Sequence, residues 1–107
     1  MLNRRIATLM VHTSPLEQAG IGDAGGMNIY VVENAIQMAK AGVKVDIFTR
    51  ADKSGLADSV EIAPGVEVHH LEAGPVSYLT KEELPSQIGA LTHAFMEHQS
   101  GKPNNYY

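Results

Sequence analysis

Two kinds of hydrophobic pattern alternate along the chain. Residues 6–11, Ile-Ala-Thr-Leu-Met-Val, are nearly all apolar, as suits a central parallel strand covered on both faces. With Arg4 and Arg5 they predict a first strand over 4–11. His12-Thr13-Ser14-Pro15 ends it, because Pro15 has no N–H to give to a ladder. From about residue 27 to 41 the period becomes helical. At about 100° per residue Met27, Val31, Val32, Ala35, Ile36, Met38 and Ala39 fill one arc, and Glu33, Asn34, Gln37 and Lys40 the other. Gly42 is a natural stop, with Lys40 in the last turn where a cation is favoured. Residues 43–49 alternate and then run apolar, which predicts a second strand joined to the first by a right-handed crossover.

The polar stretch 50–59, with Gly55, reads as a surface loop. A short strand at 60–62, a turn at Pro64-Gly65 and an alternating strand at 66–71 follow. Gly74-Pro75 breaks the chain, and Thr80 with Glu83 three positions on has the spacing of a capping box. Pro85 lies too far in for its missing N–H to be harmless, so the helix kinks there or restarts after it. Ile88, Leu91, Thr92, Phe95 and Met96 then recur at helical spacing over 86–99. The order β-α-β-β-α predicts an α/β fold with an open parallel sheet. A further strand is expected after Tyr107, making this the first half of a larger doubly wound domain.

Composition narrows the picture. A chain of 107 residues is one domain at most, with 44% hydrophobic and 19% charged residues, which is globular and not disordered. A net charge of −4 without a basic run argues against a nucleic-acid groove. Without cysteine there are no disulfides, thiolate metal sites or cysteine nucleophiles. No apolar run approaches the roughly 20 residues of a membrane helix, and the opening run is too short for a signal-peptide core. A cytoplasmic location and no membrane partner are therefore expected.

The chemistry concentrates between His12 and Tyr30, in a glycine-rich loop between a strand and a helix. In an open parallel sheet, ligands bind at the carboxyl end of the strands in such loops. Gly25 and Gly26 stand directly before the helix, where bare backbone N–H groups and the helix N-terminus favour an anion; a phosphate or sugar-phosphate site is the first reading. His12 sits where the first strand meets the loop. Asp23 and Asn28 flank the glycines, where an acid could equally serve helix entry and an asparagine could be a first-turn surface residue. Gly20-x-Gly22-x-x-Gly25 matches the dinucleotide fingerprint literally. It stands too far from the strand, and the second strand ends in Thr49-Arg50 rather than an acid, although Arg50 could accept a 2′-phosphate. Lys81 opposes the dipole of the helix start it occupies, which suits either a phosphate contact or a solvated lysine. His69 and His70 face opposite ways on a strand, and His93 and His98 diverge on a helix, so no metal site is expected. Asp46, Glu82, Glu83 and Glu97 form no recognisable acid/base pair.

Together, His12-Thr-Ser-Pro-Leu16, Gly-x-Gly-Asp-x-Gly-Gly-Met-Asn-x-Tyr30, Val-Asp-Ile-Phe-Thr-Arg50, Ala-Gly-Pro75 and Lys-Glu-Glu-Leu-Pro85 resemble the amino-terminal domain of retaining glycosyltransferases of family 4. The resemblance reaches to about Gln99. It implies the first Rossmann-like, three-layer domain of a two-domain GT-B enzyme, with the cleft between the domains. Within the family the likeness is greatest to enzymes of mycothiol biosynthesis. These transfer N-acetylglucosamine from its UDP donor to 1L-myo-inositol 1-phosphate. By that resemblance His12, Asp23, Ala24, Gly25, Gly26, Met27, Asn28 and Lys81 bind the acceptor, with Lys81 on its phosphate, and Gln18, Ala19 and Gly26 lie against the nucleotide-sugar. The chain then contributes no catalytic residue, and is expected to be inactive alone, because the second domain with its leaving-group machinery is absent. No cofactor is expected of this stretch, the UDP-sugar being a substrate, and any magnesium requirement would belong to the rest of the enzyme. Other family 4 enzymes, such as those like sucrose-phosphate synthase, remain an alternative. So does a non-catalytic Rossmann-like binding module that forms a homodimer, or pairs with the missing remainder, through an open sheet edge.

Overall fold

The computed structural model describes residues 4–11, 14–16, 26–103 and 106–107. Its elements run β1 (Arg4–Leu9), α1 (Gly26–Lys40), β2 (Val43–Arg50), β3 (Ser59–Ala63), β4 (Val66–Leu71), a 3₁₀ turn (Leu84–Gln87) and α2 (Ile88–Gln99). The sheet order is β1-β2-β4-β3. β1, β2 and β4 are parallel, and β3 is antiparallel to β4. Within this mostly parallel sheet β3 is antiparallel, returning to β4 through the expected Pro64-Gly65 turn as a hairpin. Gly65 holds φ at +83°, and an added Cβ would stand 3.2 Å from Ala39 Cβ.

Period-two alternation along β2 builds two cores. Val45 and Ile47 join Met10, Ala35, Val66 and Val68 beneath α1. Phe48 joins Leu71, Ala73 and Leu91 beneath α2. A helix on each face of a mostly parallel sheet is the three-layer, Rossmann-like α/β arrangement.

The structure corrects four details of the hydropathy reading. β1 is an edge strand among the described residues, not a central one, and Ile6 and Leu9 are exposed. Met27 is exposed because the inward line of α1 runs through Asn28 and Ala35, seven residues apart, and Met27 lies to its flank. On α2 the buried stripe is Leu91 with Ala94, Phe95 and His98, while Ile88 and Met96 face outward. Met96 sits about 140° around the helix from Leu91. Finally, the polar stretch after β2 begins later than expected: Arg50 and Ala51 are buried, and Arg50 belongs to the strand.

Thr80 and Glu83 do form a capping box. The Thr80 N–H donates to Glu83 Oε1 at 2.9 Å and the Glu83 N–H to Thr80 Oγ1 at 3.3 Å. The Thr80 N–H and hydroxyl, both donating to Glu83 Oε1, hold the Glu83 carboxyl below the usual range. The box closes a turn at 81–83. Pro85 then occupies the 3₁₀ turn, and α2 restarts at Ile88.

Candidate functional site at the carboxyl edge of the sheet

Parallel strands send all their exits to one side, so the segments leaving β1, β2 and β4 share an edge. At the β1 exit Ser14 is buried. Its hydroxyl accepts the Leu16 N–H at 3.1 Å, and its carbonyl accepts the Asn28 side-chain amide at 2.6 Å. Asn28 is 3% exposed, so it is no first-turn surface residue; it fastens the start of α1 to the end of β1. An Asn28→Ala change leaves that buried carbonyl without its donor and should cost about 1–3 kcal/mol. Urea unfolding checks this, and a loss under ~0.5 kcal/mol would mean that the tie is incidental. Gly26 opens the helix with nothing among the described residues within 4 Å of where a Cβ would stand, and Met27 beside it is exposed. His12, Gln18, Ala19, Asp23, Ala24 and Gly25 lie outside the described residues.

At the β2 exit Arg50 is only 5% exposed. Its guanidinium donates to the carbonyls of Pro75 (2.6 Å), Ser77 and Ala51 (3.4 Å). A guanidinium so committed to the backbone is not presented to a cofactor, which speaks against the 2′-phosphate role considered for Arg50; the Gly20-x-Gly22-x-x-Gly25 fingerprint itself lies outside the described residues. A shallow cleft lined by Ser14, Thr49, Arg50, Tyr78 and Leu79 connects the β1 exit with the segment after β4. Along that segment Lys81 stands exposed in the capping-box turn, without an ion pair or hydrogen bond among the described residues. The structure thus brings Gly26, Met27, Asn28 and Lys81 to the same edge of the sheet. Asn28 acts there through Ser14, and Lys81 is a cation available to a ligand.

A second polar cluster lies on the α2 face. Asp46, 4% exposed, receives Arg5 Nη1 at 2.8 Å and the Tyr107 hydroxyl at 2.8 Å, and His69 Nε2 lies 3.2 Å from its other oxygen. Burial alone would raise its carboxyl; the hydrogen bonds from His69, Arg5 and Tyr107 together outweigh burial and hold it well below the usual carboxylate range. Burial and the Asp46 contact push the Tyr107 hydroxyl up. His98 stacks edge-on against Phe48 and His69, its Nδ1 buried without a partner among the described residues. Burial, with the charges of His69 and Lys102, lowers its pKa. Because Arg5, His69 and Tyr107 all direct their polar atoms onto Asp46, this cluster reads as structural. Among the described residues no group of three His, Asp or Glu is placed to hold a metal ion.

Sequence reasoning missed Arg50 as an organiser and Asp46 as a hub. The signal was available for Arg50: a cation on the same alternate face as Phe48 has to find buried acceptors.

No protein-family model matches the chain. It is similar to the D-inositol 3-phosphate glycosyltransferase of Streptomyces griseus, at 55% identity over 97% of this chain and 22% of the relative. Its similarity to the enzyme of the same name from Actinosynnema mirum is 54%, over 97% of this chain and 25% of that one. Among solved structures it superposes on the sucrose-phosphate synthase of Thermosynechococcus elongatus with a TM-score of 0.86 and 34% identity, covering 92% of this chain and 25% of the other. The chain therefore spans about a quarter or less of the length of these relatives. The resemblance to the glycosyltransferases, and the Rossmann-like fold that it implies, hold over nearly the whole chain.

Proposed function

We propose that this chain, so similar to D-inositol 3-phosphate glycosyltransferases over a quarter or less of their length, supplies the acceptor side of such an enzyme. The observation that carries this reading is the 55% identity across 97% of the chain. The geometry supports it: the N-terminus of α1 at Gly26 and the exposed Lys81, which has no partner among the described residues, share the carboxyl edge of one sheet. Backbone N–H groups and an ammonium ion together suit a phosphate dianion. In this reading Lys81 and the amides opening α1 hold the phosphate of 1L-myo-inositol 1-phosphate, with His12, Asp23, Ala24, Gly25, Met27 and Asn28 around the inositol. Gln18, Ala19 and Gly26 face the UDP-N-acetylglucosamine donor. The nucleotide-sugar domain and the groups that stabilise the diphosphate leaving group belong to the remainder of the enzyme. The chain alone binds but does not catalyse. A cytoplasmic site of action fits a cytosolic nucleotide-sugar substrate, and the open edge of β1 is where that remainder, or a second copy, would join.

Lys81→Ala tests the reading. Losing a charge-assisted hydrogen bond of about 1.5–3 kcal/mol should weaken binding of 1L-myo-inositol 1-phosphate roughly 10- to 100-fold, with the fold unchanged. Amide NMR titration measures it, with inorganic phosphate and a hexose phosphate as comparison ligands. Equal affinity for the variant and the parent would remove Lys81 from the site. Preference for the hexose phosphate would favour a sucrose-phosphate-synthase-like enzyme, the reading suggested by the solved-structure relative but at only 34% identity.

A further inference from the structure

We infer that Arg50 is a positioning residue for the acceptor phosphate: its buried guanidinium grips the backbone carbonyls of Pro75 and Ser77 and thereby sets where Lys81 stands. The inference rests on the acceptor-side reading above. Burying a guanidinium is costly unless its donors are met, and pairing it with a carboxylate is the usual compensation. Arg50 has no carboxylate partner among the described residues; its described hydrogen bonds go to three main-chain carbonyls, at Ala51, Pro75 and Ser77. An apolar side chain at the end of β2 would pack there at less cost. What the arginine adds is attachment of an irregular segment that has no ladder of its own.

The segment also turns at Gly74, which holds φ at +71°, a conformation that side chains rarely adopt; a Cβ there would in addition meet the end of the Gln87 side chain, with Oε1 at 2.1 Å. Only Tyr78, Leu79 and Thr80 separate the clamped Ser77 from Lys81, and Thr80 is itself locked to Glu83 by the capping box. The lysine therefore extends from a backbone held by hydrogen bonds at 75, 77, 80 and 83. Its own side chain is long and has no partner among the described residues, so the direction in which its ammonium can reach is set by that backbone. Electrostatic clamps lose most of their value when they must reorganise to meet the ligand.

The test uses the 107-residue chain with Arg50→Gln, Arg50→Lys, Gly74→Ala and Lys81→Ala. Affinity for 1L-myo-inositol 1-phosphate and amide hydrogen exchange are read on each. Arg50→Gln should weaken binding about tenfold with Lys81 still in place, equivalent to about 1.4 kcal/mol. Exchange should quicken at 76–83 while the amides of β2 and β4 keep their protection. Arg50→Lys, able to reach one carbonyl at a time, should recover part of the affinity. Gly74→Ala should weaken binding without altering any charge, and it decides the matter if Arg50→Gln does not fold. The inference is overturned if Arg50→Gln and Gly74→Ala bind like the parent, or lose affinity only in step with protection across the whole sheet. Should Lys81→Ala lose binding while both of the others keep it, the inference alone fails. If the parent chain does not bind at all, the acceptor-side reading fails and takes the inference with it.

Discussion

Asp46→Asn is expected to lower the unfolding free energy by about 2–4 kcal/mol, somewhat under the full cost of breaking a buried pair because the Arg5 side chain keeps 24% exposure. The amide is nearly isosteric, so cavity formation contributes little. What changes is charge: Arg5 and the Tyr107 hydroxyl both donate to the same carboxylate oxygen, and an amide nitrogen in its place would face two donors. The effect should depend on pH with a definite sign. In the folded state the Asp46 carboxyl lies below its unfolded value near 4, so its stabilisation is complete above about pH 4 and is lost as pH falls through the folded value. Urea unfolding of both proteins from pH 7 to pH 2 should therefore show the gap between them closing below about pH 4. A gap that stayed constant through that range would show that the ion pair is not what Asp46 contributes.

Phe48→Ala should cost still more, roughly 3–5 kcal/mol, a large part of the 5–15 kcal/mol that holds a domain folded. Phe48 is 0% exposed, stacks on His69, and meets Phe95, His98 and Tyr107 edge-on. It is the residue to which β4, α2 and the end of the chain are all attached, so truncation opens a cavity that no single neighbour can fill. Far-UV circular dichroism during urea unfolding measures the change. Phe48→Leu, retaining most of the volume, should lose under half as much. A loss below about 1.5 kcal/mol for the alanine variant would mean that the surrounding rings repack around the gap.

The elements themselves were legible because their signals are local. Period two in 43–49, a 100° period in 27–41, the Thr80–Glu83 spacing and the placement of Pro85 each act within one turn or one strand, and each element is found where expected. Strand order is not local. Nothing in the hydropathy of Ile6 to Val11 distinguishes a strand with two neighbours from one whose second neighbour is absent, and β1 lies at the edge. Buried polar residues were misread for a related reason. Asp46 alternates with Val45 and Ile47 as a solvent-facing residue would, and its partners stand 23, 41 and 61 positions away. His98 does diverge from His93, which lies exposed beside Glu97, but its inward packing with Leu91 on Phe48 carried no signal in the spacing. Of the site, a location at the carboxyl edge is an expectation from topology, and Lys81 stands out in the sequence as a cation set against a helix dipole. The turn at 81–83 opens no α-helix, since α2 starts only at Ile88, so that signal does not hold. The way in which Lys81 is held was not legible, because Arg50 reaches across to carbonyls 25 and 27 positions later.

β2 carries a constraint from both of its faces. Val45 and Ile47 serve one core, Asp46 and Phe48 the other, and Arg50 continues the second line into the loop it grips. Adding or deleting one residue within 43–50 would exchange the two sets, placing the arginine and the carboxylate under α1 and the valines under α2. The segment 53–55 just beyond is exposed and joins no core. Changes of chain length are therefore tolerable there, and nearly forbidden a few positions earlier. For anyone inserting a tag, a label or a cleavage site into this protein, the usable position is next to the strand that cannot accept one.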